Sequence, residues 1–259
     1  MKEQHNYKEI NKNLWNQKTA AHVDSDFYDN EGFLKGKSSL NPIEIELLGD
    51  VKGKEILHLQ CHFGQDSLSL ARLGANVTGL DLSDRAIEQA QKLNDQLGLN
   101  AEFICSDVYE APATLNGKFD IVFTSYGTIG WLPDLNRWAE VISRCLKPGG
   151  KLVFVEFHPV VWMFDHDFSK FQYSYFNDGA IVEVQEGTYA DRNADIIAEE
   201  VSWNHSLSEV FQGLLNNGLQ IESFSEYDYT VEFEAGKFQI KGLENIIPML
   251  YAITARKNC

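Results

Sequence analysis

The chain has 259 residues, with 22 Lys and Arg against 38 Asp and Glu and a formal charge of −16. That balance disfavours nucleic acid and anionic membrane surfaces as partners, because both need a basic face. Apolar residues make up 44% and aromatic residues 12%, enough for a full core in one large domain, so disorder of the whole chain is excluded.

In chain order, Tyr7–His22 reads as a helix with Ile10, Leu14, Trp15 and Lys18 at helical spacing. A looser stretch with two glycines and three aromatics follows. Asn41-Pro42 then opens a short helix that Gly49 closes. From Lys54 strands and helices alternate: strand Glu55–Gln60, helix Asp66–Leu73, strand Ala75–Leu80, helix Asp84–Leu97, strand Ala101–Cys105 and strand Phe119–Thr124. Helix Asp134–Leu146 is stopped by Pro148-Gly149-Gly150 and followed by strand Lys151–Phe157. Such alternation implies βαβ units and a parallel sheet. It breaks after Pro159, where eight aromatics crowd between Phe157 and Phe176, and two strands are expected near Ala180–Glu186 and Ile196–Trp203. Ser206 to Glu209 has the form of a capping box, Gly218 ends the helix it starts, and strands near Leu219–Tyr227 and Met249–Ala255 close the chain.

No run approaches the roughly 18 apolar residues of a membrane helix, and the N-terminal MKEQHNYKEINKN is too polar for a secretory leader. Cys61, Cys105, Cys145 and Cys259 lack paired spacing, so neither a zinc site nor a disulfide frame is expected, and a reducing cytoplasm is the expected compartment. No metal site is expected, and the oligomeric state is left open.

In a doubly wound sheet, ligands bind beyond the carboxyl ends of the strands. After the first strand comes Gln60-Cys61-His62-Phe63-Gly64-Gln65-Asp66, a tight strand-to-helix turn that brings backbone amides toward a ligand. Asp81 ends the second strand, where an acid accepts hydrogen bonds from both hydroxyls of a ribose; alternatively it starts a turn, with Ser83 sharing the capping. Asp107 follows the third strand and is placed to accept from an exocyclic adenine amine, or to serve as a turn aspartate. Thr124-Ser125-Tyr126-Gly127 and Glu156-Phe157-His158-Pro159 follow the fourth and fifth strands.

Taken together, Leu146-Lys147-Pro148-Gly149-Gly150-Lys151-Leu152, the strand ending in Asp81, the strand-end Asp107 and Phe119-Asp120-Ile121-Val122 resemble the class I S-adenosylmethionine-dependent methyltransferases over roughly residues 50–157. The resemblance implies an α/β, Rossmann-like fold: a mostly parallel seven-stranded sheet with an antiparallel last strand. It also implies a helical lid over residues 1–50, a cofactor-binding core over 51–157, an aromatic acceptor roof over 158–203, and a C-terminal part, 204–259, that completes the sheet. The cofactor would be S-adenosyl-L-methionine, held by Gln60, Cys61, His62, Gly64, Asp81, Leu82, Asp107, Val108 and Ser125, with Trp15 and Tyr28 from the lid; Phe27 lies in the same segment. One departure stands out. The family's hydrophobic-acid-hydrophobic-Gly-x-Gly-x-Gly reads here Ile56-Leu57-His58-Leu59-Gln60-Cys61-His62-Phe63-Gly64. The acid has become His58, and two glycines have become Gln60 and His62. Histidine tolerates positive φ better than most residues, so the chain resembles a variant subgroup with an HFGQD-type loop.

Methyl transfer from a sulfonium needs alignment, exclusion of water and, for some acceptors, removal of a proton. His158, Tyr126 and Glu156 are the catalytic candidates, His158 as general base; His22 is a further candidate, and His205 reads as structural. The acceptor is expected to be a small organic molecule. Two other readings are a fold that kept its shape and lost turnover with its glycines, and a nicotinamide-dependent oxidoreductase. The latter lacks a GxGxxG run.

Overall fold

The computed structural model describes residues 6–165, 168–231, 243 and 245–258; the sequence expectations for residues 1–5 and for Cys259 lie outside these. Helices α1 (Tyr7–Val23), α2 (Asn30–Leu34) and α3 (Pro42–Leu48) precede the sheet. Strand β1 (Glu55–Leu59), helix α4 (Gln65–Arg72), β2 (Asn76–Asp81), α5 (Asp84–Leu97), β3 (Glu102–Cys105), β4 (Phe119–Ser125), α6 (Leu135–Cys145) and β5 (Leu146–Phe157) form the alternating half. Strands β6 (Ile181–Glu186) and β7 (Ile197–Ser202) follow, then α7 (Leu207–Asn216), β8 (Leu219–Tyr227) and β9 (Leu250–Lys257).

The main sheet has seven strands in the order β3-β2-β1-β4-β5-β9-β8. Strands β1 to β5 run parallel, and β9 is antiparallel to both β5 and β8. This is the Rossmann-like α/β sheet expected from the sequence, with its antiparallel last strand. Strand order reverses between β1 and β4, so their carboxyl ends open a crevice at the switch point.

Alternate residues of the strands pack opposite faces. Leu152, Phe154 and Tyr251 join Trp138 of α6 on one side, while Ile121, Phe123 and Val153 join Phe63 and Leu68 on the other. A third cluster, with Val155, Phe157, Val161 and Leu250, lies at the carboxyl end of β5.

Three local readings differ from the sequence expectation. The stretch after α1 contains α2, which starts at Asp29, whose carboxylate accepts the Gly32 N–H. Helix α6 ends at Cys145, and Leu146–Gly150 is the first part of β5 rather than a free turn. Leu146 pairs with Phe119 and pairing resumes at Lys151 with Ile121, so the glycines sit in a bulge. A Cβ on Gly150 would stand 2.9 Å from the Lys147 carbonyl oxygen, which explains the residue. At α7 only half the capping box forms. Ser206 Oγ accepts the Glu209 N–H, while the Glu209 carboxylate reaches His205 instead.

Strands β6 and β7 pair with each other as a separate hairpin above the sheet. Helix α1 packs on β7 and on α5. The Asn11 side-chain amide donates to the Val201 carbonyl at 2.8 Å and accepts the Val201 N–H at 3.0 Å, pairing with β7 as a neighbouring strand's peptide would.

Gly64 is fixed by packing as well as by backbone geometry. Its φ is 83°, and a Cβ there would fall 2.8 Å from the Phe103 ring and 2.9 Å from Ala90. Gly64→Ala is therefore expected to destabilise the fold by about 2–4 kcal/mol, backbone strain and overpacking together. Urea denaturation measures it. Phe103→Leu should recover only part of the loss, because the strained φ remains.

Candidate cofactor and acceptor site

The turn after β1 holds three residues in the left-handed region: Gln60 at φ 55°, His62 at 50° and Gly64 at 83°. These are the three glycine positions of the resemblance, so the backbone path is kept while two side chains are added. The Gln60 Nε2 donates to the Thr128 carbonyl at 2.7 Å, which orients the amide. Its Oε1 is buried with no hydrogen-bond partner among the described residues. His62 Nε2 lies 2.9 Å from His22 Nδ1, a hydrogen bond in which one imidazole donates to the other. Burial, with Lys18 nearby, pushes His62 down to about 3. His58, where the family motif has an acid, is buried with Nδ1 2.8 Å from Ser67 Oγ and its ring on Phe123. Burial pushes it to about 3, so it is neutral.

Asp81 ties this turn to β2. Its Oδ2 accepts the His62 N–H at 2.8 Å and its Oδ1 accepts the Ser83 N–H at 2.9 Å. Each oxygen keeps a second lone pair for a ligand hydroxyl. Burial raises the carboxyl to about 6 against those N–H bonds. Ser83 caps α5 through its own hydroxyl, so the capping alternative for Asp81 falls to its neighbour. Asp107 Oδ1 accepts the Tyr109 N–H at 2.7 Å, and its Oδ2 lies 3.0 Å from the Lys8 ammonium.

Two catalytic candidates are corrected by the geometry. Glu156 and His158 share the strand face of Phe154, and neither lines the cavity, whereas Phe157 does. The buried Glu156 carboxylate accepts the backbone N–H groups of Gly127, Thr128, Ile129 and Phe157, so it shapes the loop after β4. His158 accepts the Val160 N–H at Nδ1 and faces Glu226 across 3.0 Å at Nε2. Tyr126 does line the cavity, at φ 52°, and its hydroxyl donates to the buried Glu44 at 2.8 Å. Burial and Glu44 raise the phenol far above its ordinary range, so it is neutral and serves as a wall and a donor.

One cavity of about 1280 Å³ collects the strand ends, the N-terminal segment and the insertion. That exceeds the roughly 300–1,000 Å³ that holds one drug-sized ligand, so it has room for two. Gln60, Cys61, His62, Gly64, Asp81, Leu82, Asp107, Val108 and Ser125 all line it, as do Trp15 and Tyr28. Its roof is α1 and the β6–β7 hairpin. Trp15 meets His62 and Trp131 edge to face, at 5.2 and 5.4 Å between centroids. The Tyr28 and Tyr189 hydroxyls bond across the two roof segments.

Sequence reasoning missed Lys18 and Asp66 as cavity residues. Lys18 Nζ stands 5.3 Å above Trp15 and 5.4 Å above Trp131, and 3.5 Å from Glu200 on β7. A lysine on the apolar stripe of α1 was the available signal. Asp66, in the first turn of α4, lines the cavity, with the Ser39 and Ser125 hydroxyls near enough to favour its ionised form. Burial, with Glu44 adding to it, raises its carboxyl to about 7. Among the described residues no helix is long and apolar enough to cross a membrane, and no group of three His, Cys, Asp or Glu side chains is arranged to hold a metal ion.

Residues 56–150 match the family model of a methyltransferase domain. The chain is 33% identical over 132 residues to a ubiquinone biosynthesis O-methyltransferase of Coxiella burnetii, covering 50% of this chain and 56% of that protein. An Erwinia tasmaniensis protein of the same name is 30% identical over 136 residues, covering 51% and 56%. The chain thus spans about half the length of the curated relatives it matches. Among solved structures it resembles an S-adenosylmethionine-dependent methyltransferase from Listeria monocytogenes described as putative, with a TM-score of 0.60 and 20% identity over 84% of this chain and 96% of that one. It also resembles the geranyl diphosphate C-methyltransferase of Streptomyces coelicolor A3(2), solved with S-adenosyl-L-homocysteine, with a TM-score of 0.66 and 14% identity over 98% and 99%. At these identities the two structures establish the shared fold.

An acid whose folded pKa is raised binds its proton more tightly folded than unfolded, so its contribution is lost as pH rises through that window. For Asp66 the window runs from the ordinary 3.8 to about 7. Asp66→Asn should therefore gain stability relative to the wild type as pH climbs through that range, and the gap should level off above it. Thermal unfolding of both proteins across the range measures the effect; parallel curves would refute it.

Proposed function

We propose, for a chain whose residues 56–150 match the family model of a methyltransferase domain, that the protein transfers a methyl group from S-adenosylmethionine to a small organic acceptor held beneath the roof of α1 and the β6–β7 hairpin. The observation that carries this reading is the pairing of Asp81 with the unpartnered Gln60 Oε1 on the wall of one cavity at the switch point. When bound, S-adenosylmethionine supplies a methyl group already activated by its sulfonium.

The chain's own residues supply the rest. Asp81 accepts the two ribose hydroxyls on its remaining lone pairs, and Asp107 accepts from the adenine amine beside Val108. One Gln60 amide N–H is committed to Thr128, which orients the group, and its carbonyl oxygen, buried with no partner among the described residues, is the atom offered to the ligand. A carbonyl acceptor suits the methionyl ammonium rather than the carboxylate. Trp15, Trp131 and Tyr126 wall the space in which acceptor and methyl are aligned, and aromatic faces favour a nearby cationic centre. The roof excludes water. The altered glycine turn supports turnover rather than decay, because Gln60 and His62 preserve the left-handed backbone.

The eight carboxylates on the cavity wall, Asp29, Asp66, Asp81, Asp107, Asp165, Glu183, Glu186 and Glu200, outnumber Lys18, Lys37 and Arg192. This supports a neutral or cationic acceptor over an anionic one.

Calorimetric titration with S-adenosylmethionine and S-adenosylhomocysteine, with NAD as control, tests the reading. Micromolar binding of both adenosyl ligands is expected, none of NAD, and a loss of about 1–3 kcal/mol in Asp81→Ala as charge-assisted hydrogen bonds disappear. Folded protein that binds neither adenosyl ligand would sink the proposal. Binding without any methylated product across an acceptor screen would favour the non-catalytic reading.

A further inference from the structure

We infer that Asp66 is the anionic partner of the cofactor's methionyl ammonium, replacing from helix α4 the acid that β1 lacks at His58. The inference rests on the cofactor reading above and extends it to a residue outside the motif positions.

Four observations converge on Asp66. First, the β1 position occupied by an acid in the resemblance holds a neutral imidazole tied to Ser67, so no carboxylate projects from β1 into the cavity. Second, Asp66 is the carboxylate of the β1–α4 turn that lines the cavity. Third, the Ser125 hydroxyl at the end of β4 is near enough to favour its ionised form. Strands β1 and β4 are neighbours in the sheet, so Gln60 just after β1 and Ser125 at the end of β4 lie at adjacent strand ends on the cavity wall. The unpartnered Gln60 Oε1 and the Asp66 carboxylate therefore belong to the same end of the crevice. Fourth, its neighbour Glu44 holds the Tyr126 hydroxyl and the Asn41 backbone and amide groups and does not line the cavity, which leaves Asp66 as the carboxylate of the pair open to a ligand.

A zwitterion suits this corner. The first-turn N–H groups of α4 and its positive end favour the carboxylate of an amino acid. Its ammonium needs buried acceptors, and a carboxylate with a carbonyl beside it provides them.

The titratable groups around Asp66 are Glu44 on α3, Tyr126 after β4, Tyr28 from the N-terminal segment and Cys61 in the turn. All are neutral or anionic, so no protein cation competes for the site among these neighbours. Without ligand, burial holds the Asp66 carboxyl near 7. An arriving ammonium favours the ionised form, so binding below that pH releases a proton to the buffer.

The experiment compares S-adenosylhomocysteine with 5′-deoxy-5′-methylthioadenosine, which keeps the adenosyl thioether and lacks the amino-acid end. Asp66→Asn is expected to weaken the first about tenfold or more, the scale of a lost charge-assisted bond, and to leave the second within about twofold, which also shows that the variant is folded. On the wild type at about pH 6, the calorimetric enthalpy of S-adenosylhomocysteine binding should vary with buffer ionisation heat in the sense of proton release. That of methylthioadenosine should not. Equal weakening of both ligands by Asp66→Asn, or proton uptake with S-adenosylhomocysteine, overturns the assignment while leaving the cofactor reading intact. Failure of the wild type to bind either ligand overturns the cofactor reading and this inference with it.

Discussion

The hydrogen bond from the His62 backbone N–H to the Asp81 carboxylate is the constraint on which the site depends. It joins the turn after β1 to the end of β2 just where three residues take positive φ. A left-handed backbone at Gln60 and His62 is costly for residues with a Cβ and persists only where surroundings over-determine it. Here they do. Asp81 grips one amide, the Gln60 side chain grips the Thr128 carbonyl, and the His62 ring is held by His22 and Trp15. In a glycine turn the backbone is permitted to bend. In this turn it is made to bend by its neighbours, and the side chains that replace hydrogen atoms become part of the cavity wall.

That exchange explains why the roof and the turn are one construction. His22, Trp15 and Tyr28 come from the N-terminal segment, yet each packs on His62. Helix α1 is anchored to the core through Lys8 with Asp107 and through Asn16 with Ser83 and Asp84. It is anchored to the insertion through Asn11 with Val201 and Lys18 with Glu200. The first of these touches the residue expected to read adenine. The floor of the cavity and its roof are therefore held by shared side chains, so a change in one is felt by the other.

The order of elements was legible in the sequence because strand and helix periods differ, and glycines and caps mark where they change. Asp81, Asp107 and the turn after β1 were legible as cavity residues because strand ends at a switch point define the crevice. The assignment of Glu156 and His158 failed on parity. Both follow the right strand, but Phe157 between them faces the cavity, so their side chains turn toward the opposite face. Position along the chain located the strand end; the two-residue period decided which side chains line the cavity. Asp66 was overlooked because a first-turn acid is usual at any helix start, and the groups that act on its carboxyl, Glu44 and Ser39, are distant in sequence.

The distribution of charge sharpens the account. A chain with a formal charge of −16 spends one of its few cations on Lys18, buried in the roof above two indoles. Burial lowers that ammonium's pKa, and Glu200 partly offsets the cost. Such a buried pair contributes little net stability, but it contributes geometry. It fixes α1 against β7 at a spacing set by the two tryptophans, and so fixes the height of the roof over the strand ends. The residues that set that height, Asn11, Lys18, Glu200 and Val201, lie outside the 56–150 span shared with other methyltransferase domains. The height of the roof is therefore set by the part of the chain that the family pattern does not describe.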